Sequence, residues 1–283
     1  MIESRNYLDF ECSYLDAKVV FLGIPFDGTS SFRPGSRFAP SAIRQYSVGL
    51  ESYSPYFDRS LTDCYVHDMG DLSLPFGNTK RVIEIIETQI SKILEDDKKV
   101  LACGGEHLIS YPILKSYAKK YENLHLLHFD AHADLRTDYL GERCSHASVI
   151  RLVTEVISPN RIFQFGIRSG EKDEFEYAKA NTRFYPFDLQ KVGHALSAIP
   201  PQAPVYISLD LDILDPSVLP ATGTPEPGGV YFNELLEATR KLKQLNVVGI
   251  DVVELAPDYD SSGVSNIVAA KLIRELTFLI SPI

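Results

Sequence analysis

Three residues spaced two apart, Asp130, His132 and Asp134, stand at the end of an apolar run. In extended backbone, side chains two apart leave on the same side, so all three can converge on one point. Asp210 and Asp212 repeat that spacing after a second run. Alone, that pair serves equally well as a turn signal. His107 follows Gly104-Gly105 at the end of a third run, and Glu254 stands three residues beyond Asp251 after a fourth. The double glycine is read as letting the backbone turn sharply there. Brought together, four carboxylates and a histidine repel one another and desolvate at high cost, which a bound cation removes. Four aspartates and two histidines with no cysteine form an oxygen-rich set that suits Mn2+ better than structural zinc. Six ligands exceed what one ion needs once water takes a share. Two ions sharing carboxylates, about 3.5–4 Å apart in such sites, fit better. Metal-bound water titrates near about 7 instead of about 15.7, so the implied reaction class is metal-assisted hydrolysis.

These residues need a scaffold that gathers strand ends. Short runs rich in Val, Ile, Leu and Phe recur at Val19–Ile24, Tyr65–Asp68, Val100–Cys103, Leu124–Phe129, Arg161–Gly166, Phe184–Phe187, Val205–Leu209 and Val247–Ile250. Several lack alternation, which predicts strands buried on both faces. Helical spacing is clearest over Thr79–Leu94, with Asn78 placed to cap it. Further helices are predicted over Ile109–Tyr121, Ser145–Val156, Asn233–Leu245 and Ser265–Leu279. Strands alternating with helices give an α/β fold with a mainly parallel sheet, and its site lies beyond the carboxyl ends of the strands.

The 283 residues show no composition shift, repeat or linker, so one domain over 1–283 is predicted. The formal charge of −10 and the lack of a basic stripe argue against nucleic acid, and an acidic surface tolerates a cationic substrate. Cys12, Cys64, Cys103 and Cys144 form no Cys-x-x-Cys pair. Residues 1–6 carry no signal-peptide pattern and no apolar run reaches spanning length, which predicts a soluble cytoplasmic protein. His125 and His128 alternate with apolar residues and read as packed, hydrogen-bonded histidines; His67 and His194 carry no motif. The Tyr53–Phe57 cluster reads as packing or an oligomer surface.

The segments resemble the arginase/agmatinase, or ureohydrolase, family over most of the chain. The pieces are Gly23-Ile24-Pro25-Phe26-Asp27-Gly28 with Arg33-Pro34-Gly35-Ser36-Arg37, the Gly-Gly-Glu-His ending at His107, and Asp-Ala-His-Ala-Asp over 130–134. Then come Ser208-Leu209-Asp210-Leu211-Asp212 with Asp215-Pro216, Ala221-Thr222-Gly223-Thr224-Pro225 with Gly228-Gly229, and Asp251-Val252-Val253-Glu254-Leu255. The resemblance implies a three-layer α/β/α fold of the arginase/deacetylase type and two Mn2+ per subunit. One ion would take His107, Asp130, Asp134 and Asp210, the other Asp130, His132, Asp210 and Asp212. It casts Glu254 as the carboxylate for a guanidinium substrate, which matches a fork of donors bidentately. Thr224 becomes a hydroxyl in the same pocket, His146 a proton shuttle, and the assembly a trimer or hexamer. Ala147 follows His146 where many relatives carry glycine; a positive φ there would disfavour alanine.

The stretch Thr137–Ser145 lacks the Ser-Gly-Asn-like segment with which arginases hold an α-amino acid head, and resembles agmatinases. Tyr139 and Glu142 are candidates to line the tail of the substrate, and also read as ordinary exposed loop residues. The expectation is agmatine plus water giving putrescine plus urea. The alternatives are a guanidinobutyrase, an arginase or another guanidine ureohydrolase, a deacetylase on the same fold, and a non-enzymatic metal-binding relative. A deacetylase would leave Asp134 and Asp212 without a role. A non-enzymatic relative would have lost ligands or Glu254.

Overall fold

Val19–Gly23 forms the first strand, β1, buried along its whole length as its unbroken apolar run predicts. The computed structural model describes residues 6–281. Residues 1–5, most of the stretch read for a leader, and residues 282–283 of the predicted domain lie outside them.

The remaining strands are β2 Tyr53–Ser54, β3 Arg59–Ser60, β4 Val66–Asp71, β5 Lys99–Cys103, β6 His125–Phe129, β7 Ile162–Phe165, β8 Arg183–Tyr185, β9 Pro204–Asp210 and β10 Asn246–Val253. Eight of them form one sheet in the order β4-β1-β5-β10-β9-β6-β7-β8, with every pairing parallel. The helices are α1 Ala39–Ser47, α2 Thr79–Glu95, α3 Ser110–Lys120, α4 Val149–Val153, α5 Lys172–Asn181, α6 Val192–Leu196, α7 Phe232–Lys241 and α8 Val264–Ile280. Residues of β1 alternate between two cores. Val19 and Phe21 pack with α1, α6, α7 and α8, while Val20 and Leu22 pack with α2, α3, α4 and α5. The result is the parallel-sheet α/β fold predicted from the alternation of strand and helix, in the three-layer α/β/α form that the resemblance implies.

Asn78 caps α2 as predicted, its side chain accepting from Arg81 N–H at 3.0 Å. Other details differ. The helix expected over Ser145–Val156 is a 3-10 turn at His146–Ser148 followed only by α4. Thr154, just past α4, turns its hydroxyl back to the Arg151 carbonyl (2.7 Å) and Pro159 follows, so the helix does not propagate. Helix α5 lies outside the predicted helices, because its sequence KDEFEYAKAN carries little apolar periodicity; a reciprocal capping box between Glu171 and Glu174 supports it instead. The Tyr53–Phe57 cluster leads through the β2–β3 hairpin, with Phe57 buried against Phe278 and Tyr53 half exposed.

Candidate metal centre and active site

The four central strands, β5, β10, β9 and β6, all end in polar groups at one edge. His107 opens a 3-10 turn after β5. Asp130 directly follows β6, Asp210 is the last residue of β9, and Asp212 lies in the 3-10 turn after it. Glu254 directly follows β10. Gly105 has a reason other than the sharp turn expected of it, for its φ is not positive. A Cβ there would meet Phe26 O at 1.8 Å, so glycine permits the close approach that lets Glu106 N–H donate to the same carbonyl (2.7 Å).

The candidate ligands converge. His107 Nδ1 lies 3.0 Å from Asp130 Oδ2 and 3.2 Å from both Asp134 Oδ2 and Asp210 Oδ2. His132 Nδ1 lies 2.9 Å from Asp212 Oδ2 and 3.6 Å from Asp130 Oδ1. Two groups of donor atoms close enough to hold an ion emerge, His107/His128/Asp130/Asp134 and Asp130/His132/Asp212, and Asp130 belongs to both. Asp210 adjoins the first through its contact with His107.

The protonation of His107 follows from its other nitrogen. Its Nε2 is 2.9 Å from Ser208 Oγ, and that hydroxyl donates to buried Asp251 at 2.7 Å. Ser208 therefore accepts from Nε2–H, which leaves Nδ1 as the nitrogen that faces the three carboxylate oxygens and the one free to bind an ion. Nδ1 makes no hydrogen bond and is buried, as is Asp212 Oδ2. Despite burial, the surrounding carboxylates hold His107 and His132 well above the usual imidazole range, so the cluster draws positive charge to itself, and its oxygen-rich donor set fits a divalent metal pair. The charge balance points the same way. Burial, with the charge of Asp130, pushes Asp134 up to about 7. Burial also raises Asp210 and Glu254 well above the carboxylate range. Asp130 stays well below it despite burial, held by His128, His107 and His132.

Asp134 and Glu254 adopt left-handed backbone, with φ of 53° and 69°. Such conformations are uncommon outside glycine and collect at functional positions. Each is pinned: Asp134 O accepts from Ile150 and Arg151 N–H, and Glu254 N–H donates to Gly105 O. One oxygen of Glu254 accepts from His107 N–H at 2.8 Å. The residue faces a pocket of about 280 Å3, also lined by His107, His132, Asp134, His146, Asp210, Asp212 and Thr224. His146 is anchored at its backbone, where N–H donates to Thr29 Oγ1 (3.1 Å), and at its ring, where Nε2 contacts Ser31 Oγ (3.1 Å). Burial lowers its pKa. Ala147 carries no positive φ, so alanine is unstrained there.

Several contributors escaped the sequence reading. Glu106 sits between Gly105 and His107 yet faces the early loop, accepting from Thr29 N–H (2.9 Å) and Ser30 Oγ (3.0 Å); Thr29 in turn holds His146. Its presence in the Gly-Gly-Glu-His segment was the available signal. Arg136, Glu171 and Glu174 line the pocket, with Arg136 3.4 Å from each carboxylate and stacked 4.7 Å from the Tyr139 ring. Nothing in their spacing marks them. Of the two tail candidates, Tyr139 lines the pocket; Glu142 is not among its lining residues and instead pairs with the Tyr139 backbone. His128 and His125 are buried and hydrogen-bonded as expected, His125 to Asn123 O at 2.9 Å. Among the described residues, no helix is long and apolar enough to cross a membrane.

Comparison with known proteins adds independent findings. The arginase family model matches residues 17–279. An agmatinase of Bacillus cereus is 48% identical over 268 residues, covering 93% of this chain and 92% of its own. A crystal structure from Clostridium difficile superposes with a TM-score of 0.93 at 42% identity, covering 95% of this chain and 99% of the other. An agmatine ureohydrolase of Thermoplasma volcanium superposes with a TM-score of 0.89 at 32% identity, covering 99% and 95%.

Proposed function

The chain belongs to the arginase family, and from that premise we propose that it hydrolyses agmatine to urea and putrescine. The observation that carries the reading is one pocket holding both a cluster of acceptors in need of cations and the buried carboxylate of Glu254, one oxygen of which is already satisfied by His107 N–H. That residual carboxylate suits a guanidinium, whose planar fork of donors brings the positive charge that favours its ionised form.

His107, Asp130, Asp134 and Asp210 would hold one Mn2+, and Asp130, His132, Asp210 and Asp212 the other. When bound, such a pair supplies Lewis acidity that makes water acidic enough to lose a proton near neutral pH. Glu254 holds the guanidinium carbon in place for attack, with Thr224 beside it. Water adds to that carbon, the carbon–nitrogen bond to the aminobutyl arm breaks, and the departing nitrogen gains a proton. His146 carries that proton. Burial favours its neutral form, so it accepts a proton from water and delivers it to the amine.

The tail of the substrate meets Arg136, Glu171 and Glu174. Two carboxylates oppose one guanidinium, leaving a net negative wall, and Arg136 is committed to both acids and to Tyr139. An ammonium tail suits that wall better than a carboxylate, which favours agmatine over guanidinobutyrate or arginine. The reading extends to one ureohydrolase domain over residues 1–283, acting in the cytoplasm as a trimer or hexamer. Urea release from agmatine, arginine and guanidinobutyrate by purified protein with added Mn2+ tests it. Agmatine should give the highest kcat/KM; no urea from any guanidine would overturn the activity.

A further inference from the structure

His128 lies on β6 two residues before Asp130, fully buried and flanked in the strand by Leu127 and Phe129. Its Nε2 is 2.7 Å from Asp130 Oδ2 and its Nδ1 is 3.3 Å from Gln164 Nε2, on the neighbouring strand β7. The two residues are register partners, so the sheet itself sets this contact. The amide of Gln164 has a determined orientation. Its nitrogen lies 3.0 Å from the Ala133 carbonyl, which can only accept, and its oxygen lies 3.1 Å from Thr182 Oγ1, past the end of α5. The second amide hydrogen therefore faces His128 Nδ1, which must accept it. The imidazole proton is then on Nε2 and is donated to Asp130.

This places His128 differently from the other imidazoles of the cluster. Its geometry alone groups it with His107, Asp130 and Asp134 as a candidate ligand. A ligand needs a lone pair, and the lone pair of His128 points away, toward Gln164. Asp130 meanwhile accepts at its other oxygen from His132 N–H at 2.6 Å. One fixed donor on each oxygen clamps the carboxylate, and its remaining lone pairs face His107 on one side and His132 on the other. We propose that His128, locked in its tautomer by Gln164, is a positioning residue for the shared carboxylate Asp130, and that this pair sets how tightly the cluster retains its divalent cations. The inference rests on the metal-site half of the functional reading and not on which guanidine is cleaved.

The test is Mn2+ affinity of the metal-stripped full chain, measured by competition with a chelator and independent of turnover. Partners that orient metal ligands contribute about 10–100-fold in affinity. His128→Phe, which keeps a ring and removes the donor, should lose affinity on that scale. His128→Gln, whose amide restores an N–H near the Nε2 position, should recover much of it. Gln164→Leu leaves the imidazole untouched but releases its tautomer, and should weaken binding by several-fold, which keeps the test alive if His128→Phe does not fold. Selective 15N labelling of the histidines should show His128 protonated at Nε2 in the metal-free protein. Unchanged Mn2+ affinity in folded His128→Phe or in Gln164→Leu would overturn the proposal. So would a resonance protonated at Nδ1, or an affinity loss in His128→Gln equal to that in His128→Phe, which would mark the imidazole as a ligand. Guanidine hydrolysis is read separately, so an inactive wild type with intact Mn2+ binding would sink the assigned activity while leaving this proposal standing.

Discussion

Five of the six candidate ligands line one pocket with the tail-facing residues, and Asp130 lies fully buried against His107, yet the supports of the two sets have little in common. The ligands stand at or just past the ends of three buried strands, β5, β9 and β6, and backbone fixes them: Ala131 N–H on Asp212, His132 N–H on Asp130, and Asp212 N–H on Asp210. Arg136, Tyr139 and Glu171 lie outside regular strands or at the mouth of α5, are partly exposed, and hold one another through side chains. The first arrangement gives the rigidity that chemistry requires. The second can change with little effect on the fold, which is where substrate choice can vary among relatives of one family.

If that contrast holds, damage should scale with depth. Asp130→Asn removes a charge from both candidate ion groups. It should strip metal from both positions and lower kcat on the order of 10³-fold or more, since metal-ion stabilisation is worth several kcal/mol. Metal content after dialysis and turnover check both halves together. His146→Ala should retain both ions and lower kcat by about 10²–10⁴-fold, the usual contribution of a positioned proton carrier. Unchanged turnover would transfer that role to water.

At the loop-borne wall the effect should fall on selectivity. Wild type should prefer agmatine to arginine by well over tenfold if the lost pairing exceeds about 1.4 kcal/mol. Glu171→Gln should narrow the preference for agmatine over guanidinobutyrate, chiefly through KM, and Arg136→Gln should widen it. Ratios that ignore both changes would mean the wall does not sense the tail.

The smallest expected effect lies further from the chemistry. Asp215 accepts from Ser217 hydroxyl and N–H and from Gly228 and Gly229 N–H, and these bonds hold its pKa down at about 2. The bonds tie down the loop that carries Thr224. A carboxyl whose folded pKa is depressed contributes stability above its unfolded value of 3.8 and loses it as pH falls toward about 2. Asp215→Asn should therefore lower Tm slightly at neutral pH, and the gap from wild type should close between about pH 4 and pH 2. A gap independent of pH would reject the assignment.

What the sequence made legible follows the same division. Two-residue spacing on extended backbone is a local property, so Asp130, His132, Asp134, Asp210 and Asp212 were readable from it, as was the parallel sheet behind them. The supports were not, because they come from distant segments: Ser208 and Asp251 on His107, Gln164 on His128, Thr29 on His146. The same holds for Arg136 with Glu171, whose sequence separation exceeds thirty residues. Helix α5 is not legible from apolar periodicity, because a capping box marks it instead. The need for glycine at 105 is set by close approach to Phe26, a tertiary fact that no local turn signal carries. Alanine is tolerated at 147 because the chain there enters a 3-10 turn without positive φ, which local sequence does not announce.

In the proposed centre two cations share Asp130 and Asp210. Anomalous diffraction from Mn2+-loaded crystals tests it most directly. Two peaks are expected, both within bonding distance of Asp130 and Asp210, with His107 on one and His132 on the other. A single peak, or ions held by residues outside these six, would contradict it.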